Sequence, residues 1–151
     1  MLTPEQLRSR LIDSKLASAE TLQGCTASEL DEIELTLNRV LPNVYKDVMS
    51  ILGHRAGQFM SDIDFVFPQL LLLRERAEAA MKQYNSALPE NTFVFATRYG
   101  EQFFFFYLDN NQDPAVFRWY DDAPEKFTRV SNSFSEFIEA QLVEQESTMQ
   151  D

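Results

Sequence analysis

The sequence predicts an α+β fold: a mostly antiparallel sheet of about four to six strands with helices packed against it, forming a single domain over residues 1–143 ahead of a polar tail over 144–151. Three observations predict it. Residues Thr92 to Tyr120 hold three runs rich in Phe, Tyr, Trp and Val, separated by Tyr99-Gly100-Glu101 and by Asp109 to Pro114, the pattern of a three-stranded antiparallel meander. Before and after it lie segments with apolar residues at helical spacing, several opened by a capping signal. A chain of 151 residues is also the size of one domain, long enough to bury about two-thirds of its unfolded surface around one core.

Thr3-Pro4-Glu5-Gln6 opens the first helix with a cap, a proline at the first helical position and a capping-box partner, and Leu7, Leu11 and Ile12 give it an apolar face. Ala17 to Ala27, Ser/Thr-rich with Gly24, reads as a connection. Thr26 and Glu29 form a second capping box ahead of Leu30, Ile33, Leu37 and Val40. Glu29, Asp31, Glu32 and Glu34 complement the dipole of that helix. Leu41-Pro42 breaks it, and Pro42 opens a third helix facing inward through Tyr45, Val48, Met49 and Leu52, ended by Gly53 or Gly57.

In Phe59 to Phe67, Ile63, Phe65 and Phe67 alternate with Asp62, Asp64 and Val66, which predicts a short strand beside the meander, closed by Pro68. From Gln69 to Tyr84, Leu70, Leu73, Ala77, Ala80, Met81 and Tyr84 share one helical face. In the run Gln102 to Leu108 both sets of alternate residues are apolar, so this strand is central and covered on both sides. The run Ala115 to Tyr120 alternates as a half-buried strand, and Phe127 to Val130 adds a short edge strand. Ser131 or Ser133 caps a last helix with Phe134, Phe137, Ile138 and Leu142 inward, and Glu144 to Asp151 is expected to fray.

The unusual quantity is charge: 13 Lys plus Arg against 24 Asp plus Glu, a net −11. It is spread, with 7 against 11 in the first 75 residues and 6 against 13 in the rest. Such a surface repels nucleic acid and attracts a basic protein. Cys25, the only cysteine, excludes an internal disulfide and a cysteine-rich zinc site, and reads as a small buried or half-buried thiol. His54, the only histidine, excludes a two-histidine metal site and reads as a helix-end residue. With no G-x-S-x-G and no phosphate-cradling G-x-x-x-x-G-K, the reading is of no enzyme, no cofactor and no metal site.

Asp109 to Asp113 imitates the start of a calcium loop, but Pro114 stands where such a loop needs Gly and Tyr120 where it needs Glu, so a hairpin connection is the better account. Arg98-Tyr99-Gly100 running into Phe103 to Phe106 imitates an RNA-binding strand without the basic surface it needs. The N-terminus lacks the apolar core of a signal peptide, and the longest apolar run, Phe65 to Leu73, is interrupted and far short of the ~20 residues of a membrane helix. A cytoplasmic protein with no membrane association is expected.

Four local signatures, in order, resemble the SUKH superfamily, which contains yeast cell-wall-synthesis regulators and many bacterial immunity proteins. They are Leu41-Pro42-x-x-Tyr45-Lys46; Phe106-Tyr107-Leu108-Asp109 with Gly100 in the turn before; Val-Phe-Arg-Trp-Tyr-Asp from Val116 to Asp121; and Ser133-Phe134-Ser135-Glu136-Phe137. The resemblance covers Ala27 to Leu142. Two segments depart from it: Leu52 to Gly57, where the family usually has an Asn-Gly pair directly after the helix, and the long amphipathic run Gln69 to Tyr84. The resemblance implies an α+β fold with a mostly antiparallel sheet, no catalytic centre and a protein-binding role, in bacteria commonly that of neutralising a toxin, often a nuclease or deaminase. The acidity fits a basic toxin domain as partner. Asp109, Asp113, Asp121, Asp122 and Glu125 are then the expected contact rim, with Asp62 and Asp64 behind them. The alternative is a regulatory or scaffold module acting on host proteins, as the yeast relatives imply.

Overall fold

In a computed structural model that describes residues 2–149, the chain opens with α1 (Pro4–Asp13). Thr3 Oγ1 accepts the Gln6 N–H at 3.2 Å while Gln6 Oε1 accepts the Thr3 N–H at 2.9 Å, the capping box the sequence predicts. A two-residue strand, β1 (Leu22–Gln23), leads to α2 (Ala27–Leu37), where Thr26 and Glu29 form the second box. Asn38, left-handed at φ 54°, ends α2 before the apolar spacing runs out, so Val40 is 69% exposed where the sequence predicts packing. Glu34 has a local task, accepting the Leu41 N–H at 2.7 Å.

α3 (Asn43–Leu52) follows Pro42 and buries Val44, Tyr45, Val48, Met49 and Leu52. Its end corrects one expectation. Gly53 N–H closes the helix on the Met49 carbonyl, and the His54 ring, instead of capping, lies with Nε2 2.6 Å from the Glu29 carboxylate. β2 (Arg55–Ala56) pairs antiparallel with β1. The chain at Gly24 passes so close to α3 that a Cβ there would sit 1.7 Å from the Ser50 carbonyl oxygen, which leaves glycine as the residue that fits.

Phe59 to Phe67 is not the strand its alternation predicts. Ile63, Phe65 and Phe67 are buried and Asp62 and Asp64 exposed, as alternation requires, yet the segment makes a single bridge in which Asp64 and Thr97 exchange backbone bonds at 2.8 and 3.0 Å. Ser61 and Ile63 N–H groups are satisfied locally, by the Gln58 and Met60 carbonyls, so turns replace the ladder. The predicted helix Gln69 to Tyr84 likewise divides into a 3₁₀ turn (Gln69–Leu72) and α4 (Leu73–Lys82).

The aromatic runs become β3 (Thr92–Arg98), β4 (Gln102–Tyr107) and β5 (Val116–Tyr120), joined by the edge strand β6 (Phe127–Ser131) in the antiparallel order β3-β4-β5-β6. The last helix is α5 (Phe134–Met149). On one face of the sheet Phe93, Phe95, Phe104 and Phe106 meet Tyr45 of α3 and Phe134 and Phe137 of α5, with ring centroids 5.3 to 6.4 Å apart. On the other, Phe103 and Phe105 lie opposite Trp119 and Phe117, and Tyr84, just past α4, stands edge-on to Trp119 at 5.9 Å. β4 is therefore buried on both faces, as its sequence predicts.

The expected fraying from Glu144 is also corrected. α5 continues through Met149 because its polar residues have partners: Arg10 of α1 bridges Glu139 and Glu146, each at 2.7 Å, and Gln145 Oε1 accepts the Met60 N–H at 2.8 Å. Residues 150 and 151 of the predicted tail lie outside the described residues. Hydrogen bonds from Arg10 hold the Glu146 carboxyl below its ordinary range. A carboxylate whose folded pKa is lowered adds stability above the unfolded glutamate value of ~4.3 and stops adding it as pH falls through the folded value. The difference in Tm between wild type and Arg10→Ala is accordingly expected to be widest near neutral pH and to close below about pH 4. A gap independent of pH would mean that Arg10 acts through packing alone.

Candidate partner-binding surface

The meander places its two outer turns at one end of the sheet and its middle turn at the other. The β3–β4 connection is tight: Glu101 N–H donates to the Arg98 carbonyl at 3.1 Å, and the two residues between them, Tyr99 and Gly100, are both left-handed, at φ 57° and 69°, as a type I′ turn requires. This leaves the Tyr99 ring 72% exposed at the tip. Asp121 N–H donates to the Glu101 carbonyl at 3.0 Å and so ties the β5–β6 turn beside it.

The result is a concentration of carboxylates around one tyrosine. Asp122 first, then burial, with Glu101 and Asp121 adding to both, push the Tyr120 phenol above its ordinary pKa. The Arg118 guanidinium lies over the Tyr120 ring, 5.5 Å from its centroid. Among the described residues none of Glu101, Asp121, Asp122 and Glu125 has an ion-pair partner.

Of the seven acidic residues singled out from the sequence, five lie at this end. Asp121, Asp122 and Glu125 occupy the β5–β6 turn, while Asp62 and Asp64 reach it through the Asp64–Thr97 bridge. The latter two are partly compensated, Asp62 by Arg98 at 3.1 Å and Asp64 by Arg76 at 3.9 Å. Asp109 and Asp113 are at the far end of β4, a strand length of about 20 Å away. They do not join the same rim.

The loop that carries them has a structural task. Asp113 accepts the Ser135 N–H at 2.8 Å and the Ser135 hydroxyl at 2.5 Å, finishing the cap that Ser133 begins on α5. Gln112 holds the other helix start, its carbonyl taking the Val44 N–H and its side chain the Asn43 N–H. Asp109 accepts the Asn111 N–H in a local turn. Here the stretch that imitates a calcium loop clamps the first turns of α3 and α5.

That end also borders an open groove of about 620 Å³ between α1, α3 and α5, with Asp47, Asp113, Glu136 and Glu139 at its mouth. Part of its charge is used internally, since Arg10 compensates Glu139 and Ser135 occupies Asp113, while Asp47 and Glu136 have no ion-pair partner among the described residues. The hairpin end differs in gathering its unpaired carboxylates around Tyr120 and the exposed Tyr99. Sequence reasoning missed Tyr99, Glu101 and Tyr120 there, because Tyr99-Gly100-Glu101 reads as turn material and Tyr120 as one position of an alternating strand.

No described helix is long and apolar enough to cross a membrane. The family signatures lie in the packing: Leu41, Tyr45, Phe106, Trp119, Phe134 and Phe137 are all buried, so they specify how the sheet meets its helices and leave the partner surface unspecified. Comparison with curated proteins gives no match. A family model, the SMI1 / KNR4 family (SUKH-1), matches residues 24–140. That span starts at the glycine packed against α3, ends within α5 and takes in well over half of the chain, so the protein belongs to the SMI1 / KNR4 family (SUKH-1).

Proposed function

We propose that this protein is a non-enzymatic protein-binding domain that acts as a cytoplasmic immunity protein, binding and neutralising a basic toxin domain such as a nuclease or deaminase. The observation that carries this reading is the set of unpaired carboxylates Glu101, Asp121, Asp122 and Glu125 beside Tyr120 and the exposed Tyr99. Charge around an aromatic anchor suits a basic partner in two ways. The field of a chain at net −11 steers encounter, and the tyrosines supply contact area that holds once water is displaced. A toxin that acts on nucleic acid carries the basic surface this arrangement needs.

The test is co-expression with the toxin domain encoded by the neighbouring gene. Restored growth, together with a stable complex of the two purified proteins, is the expected result. A neighbouring toxin whose lethality is unaffected, with no complex formed, would overturn the immunity reading. The family description, which names SMI1 and KNR4, favours a second reading as a regulatory module. In that case no toxin gene adjoins it, and the same acidic end binds a basic region of a host regulatory protein.

A further inference from the structure

We propose that Cys25, Glu29 and His54 form a binding site for a divalent transition-metal ion of the zinc class. Their ligand atoms, one sulfur, one imidazole nitrogen and one carboxylate oxygen, all lie within 4.8 Å of one another. Thiolate and imidazole together select borderline-soft ions such as Zn²⁺ over Ca²⁺ or Mg²⁺, which prefer all-oxygen shells. The sequence reading dismissed Cys25 and His54 because each is the only residue of its kind, and the fold removes that objection by bringing them together.

Each ligand is held by its own local structure. Cys25 immediately precedes the N-cap of α2, and its N–H donates to the Met49 carbonyl at 2.8 Å. Glu29, four residues on, is turned over the same helix start because its Oε1 accepts the Thr26 N–H at 2.8 Å, which leaves Oε2 facing His54. His54 arrives from the end of α3, anchored by its N–H to the Gln23 carbonyl at 2.9 Å, and Phe67 meets its ring edge-on at 5.5 Å. Gly53 completes the cradle, since a Cβ there would lie 2.3 Å from the Cys25 sulfur. Backbone bonds behind the first ligands are what orient a metal site.

Charge and access both fit. A thiolate, a carboxylate and a neutral imidazole balance a +2 ion, so the site becomes neutral on loading. The thiol proton leaves to solvent as the S–metal bond forms. Cys25 is buried, and the His54 and Glu29 side chains are 22% and 25% exposed, so an ion can enter from the histidine side. Three protein ligands leave a fourth tetrahedral position for water. Loaded, the site would pin the start of α2 to the end of α3.

Co²⁺ is the probe, added to chelator-treated, reduced protein. The expected result is saturation at one equivalent, with a near-ultraviolet thiolate-to-cobalt band and visible bands of tetrahedral intensity, all removed by one equivalent of Zn²⁺. Because Cys25 is the only thiol, the wild-type spectrum is decisive by itself. Cys25→Ser, with its native fold verified by circular dichroism, should lose the charge-transfer band, and His54→Gln should weaken Co²⁺ binding at least about tenfold. A wild-type titration without the thiolate band, or a band that survives in Cys25→Ser, would overturn the proposal.

Discussion

Phe105→Ala is expected to cost ~3–5 kcal/mol of folding stability, the range for deleting a buried aromatic ring. Phe105 is fully buried on the face of β4 turned away from α3 and α5, where Phe117 stacks on it at 5.8 Å and Phe127 meets it edge-on at 5.7 Å. Phe106, the next residue, points the other way and contacts Tyr45, Phe93, Phe95 and Phe134. Phe106→Ala should therefore cost a similar amount through different neighbours. Phe127→Ala removes a ring that is 38% exposed at the sheet edge and should cost clearly less than either. Denaturant unfolding with an unchanged slope gives the comparison. A nearly neutral Phe105→Ala would show that the second face of β4 is not packed as described, whatever Phe106→Ala does.

How much of this was legible in the sequence depends on the range over which each signal acts. The capping boxes at Thr3 and Thr26 and the double-sided apolar run of β4 are local, and they translate directly into structure. Phe59 to Phe67 shows the limit: alternation reports which side chains are buried, but a strand also needs a neighbour along its backbone, and here Asp64 makes one bridge and Phe67 N–H one isolated bond to the Gly53 carbonyl. Glu144 to Met149 looked free because its partners, Arg10 and Met60, are more than eighty residues away in sequence.

The candidate site divides for the same reason. A list of acidic loop residues carries no information about which end of a sheet each loop occupies, so Asp109 and Asp113 were grouped with Asp121 and Asp122 although β4 separates them. Tyr120 is marked out only once Asp121 N–H and the Glu101 carbonyl join two hairpins. Likewise Cys25 and Glu29 stand four apart at a helix start, a spacing visible in the sequence, while His54 reaches them only because the chain before α2 is bonded to the end of α3, Cys25 N–H to the Met49 carbonyl and His54 N–H to the Gln23 carbonyl. Local chemistry was readable; juxtaposition was not.

Reversing charge at Asp122 and Glu125 to Lys is expected to slow association with a basic toxin domain at least about tenfold at low ionic strength, with a smaller change in dissociation. Both side chains are exposed in the β5–β6 turn, so the substitutions should change folding stability by no more than ~0.5 kcal/mol. Total charge must be separated from its location, and Asp31→Lys with Glu32→Lys does this. That pair makes the same change in net charge from exposed positions on α2, whose Ile33 and Leu37 pack near Thr92, at the end of β3 remote from Tyr99. If steering is directed to the hairpin end, the first pair slows association far more than the second. The gap should also shrink as salt rises, because the screening length falls from about 10 Å at 0.1 M to about 3 Å at 1 M. Equal slowing by both pairs would leave only a non-directional effect of net charge, and slowing by neither would move the contact to an apolar surface.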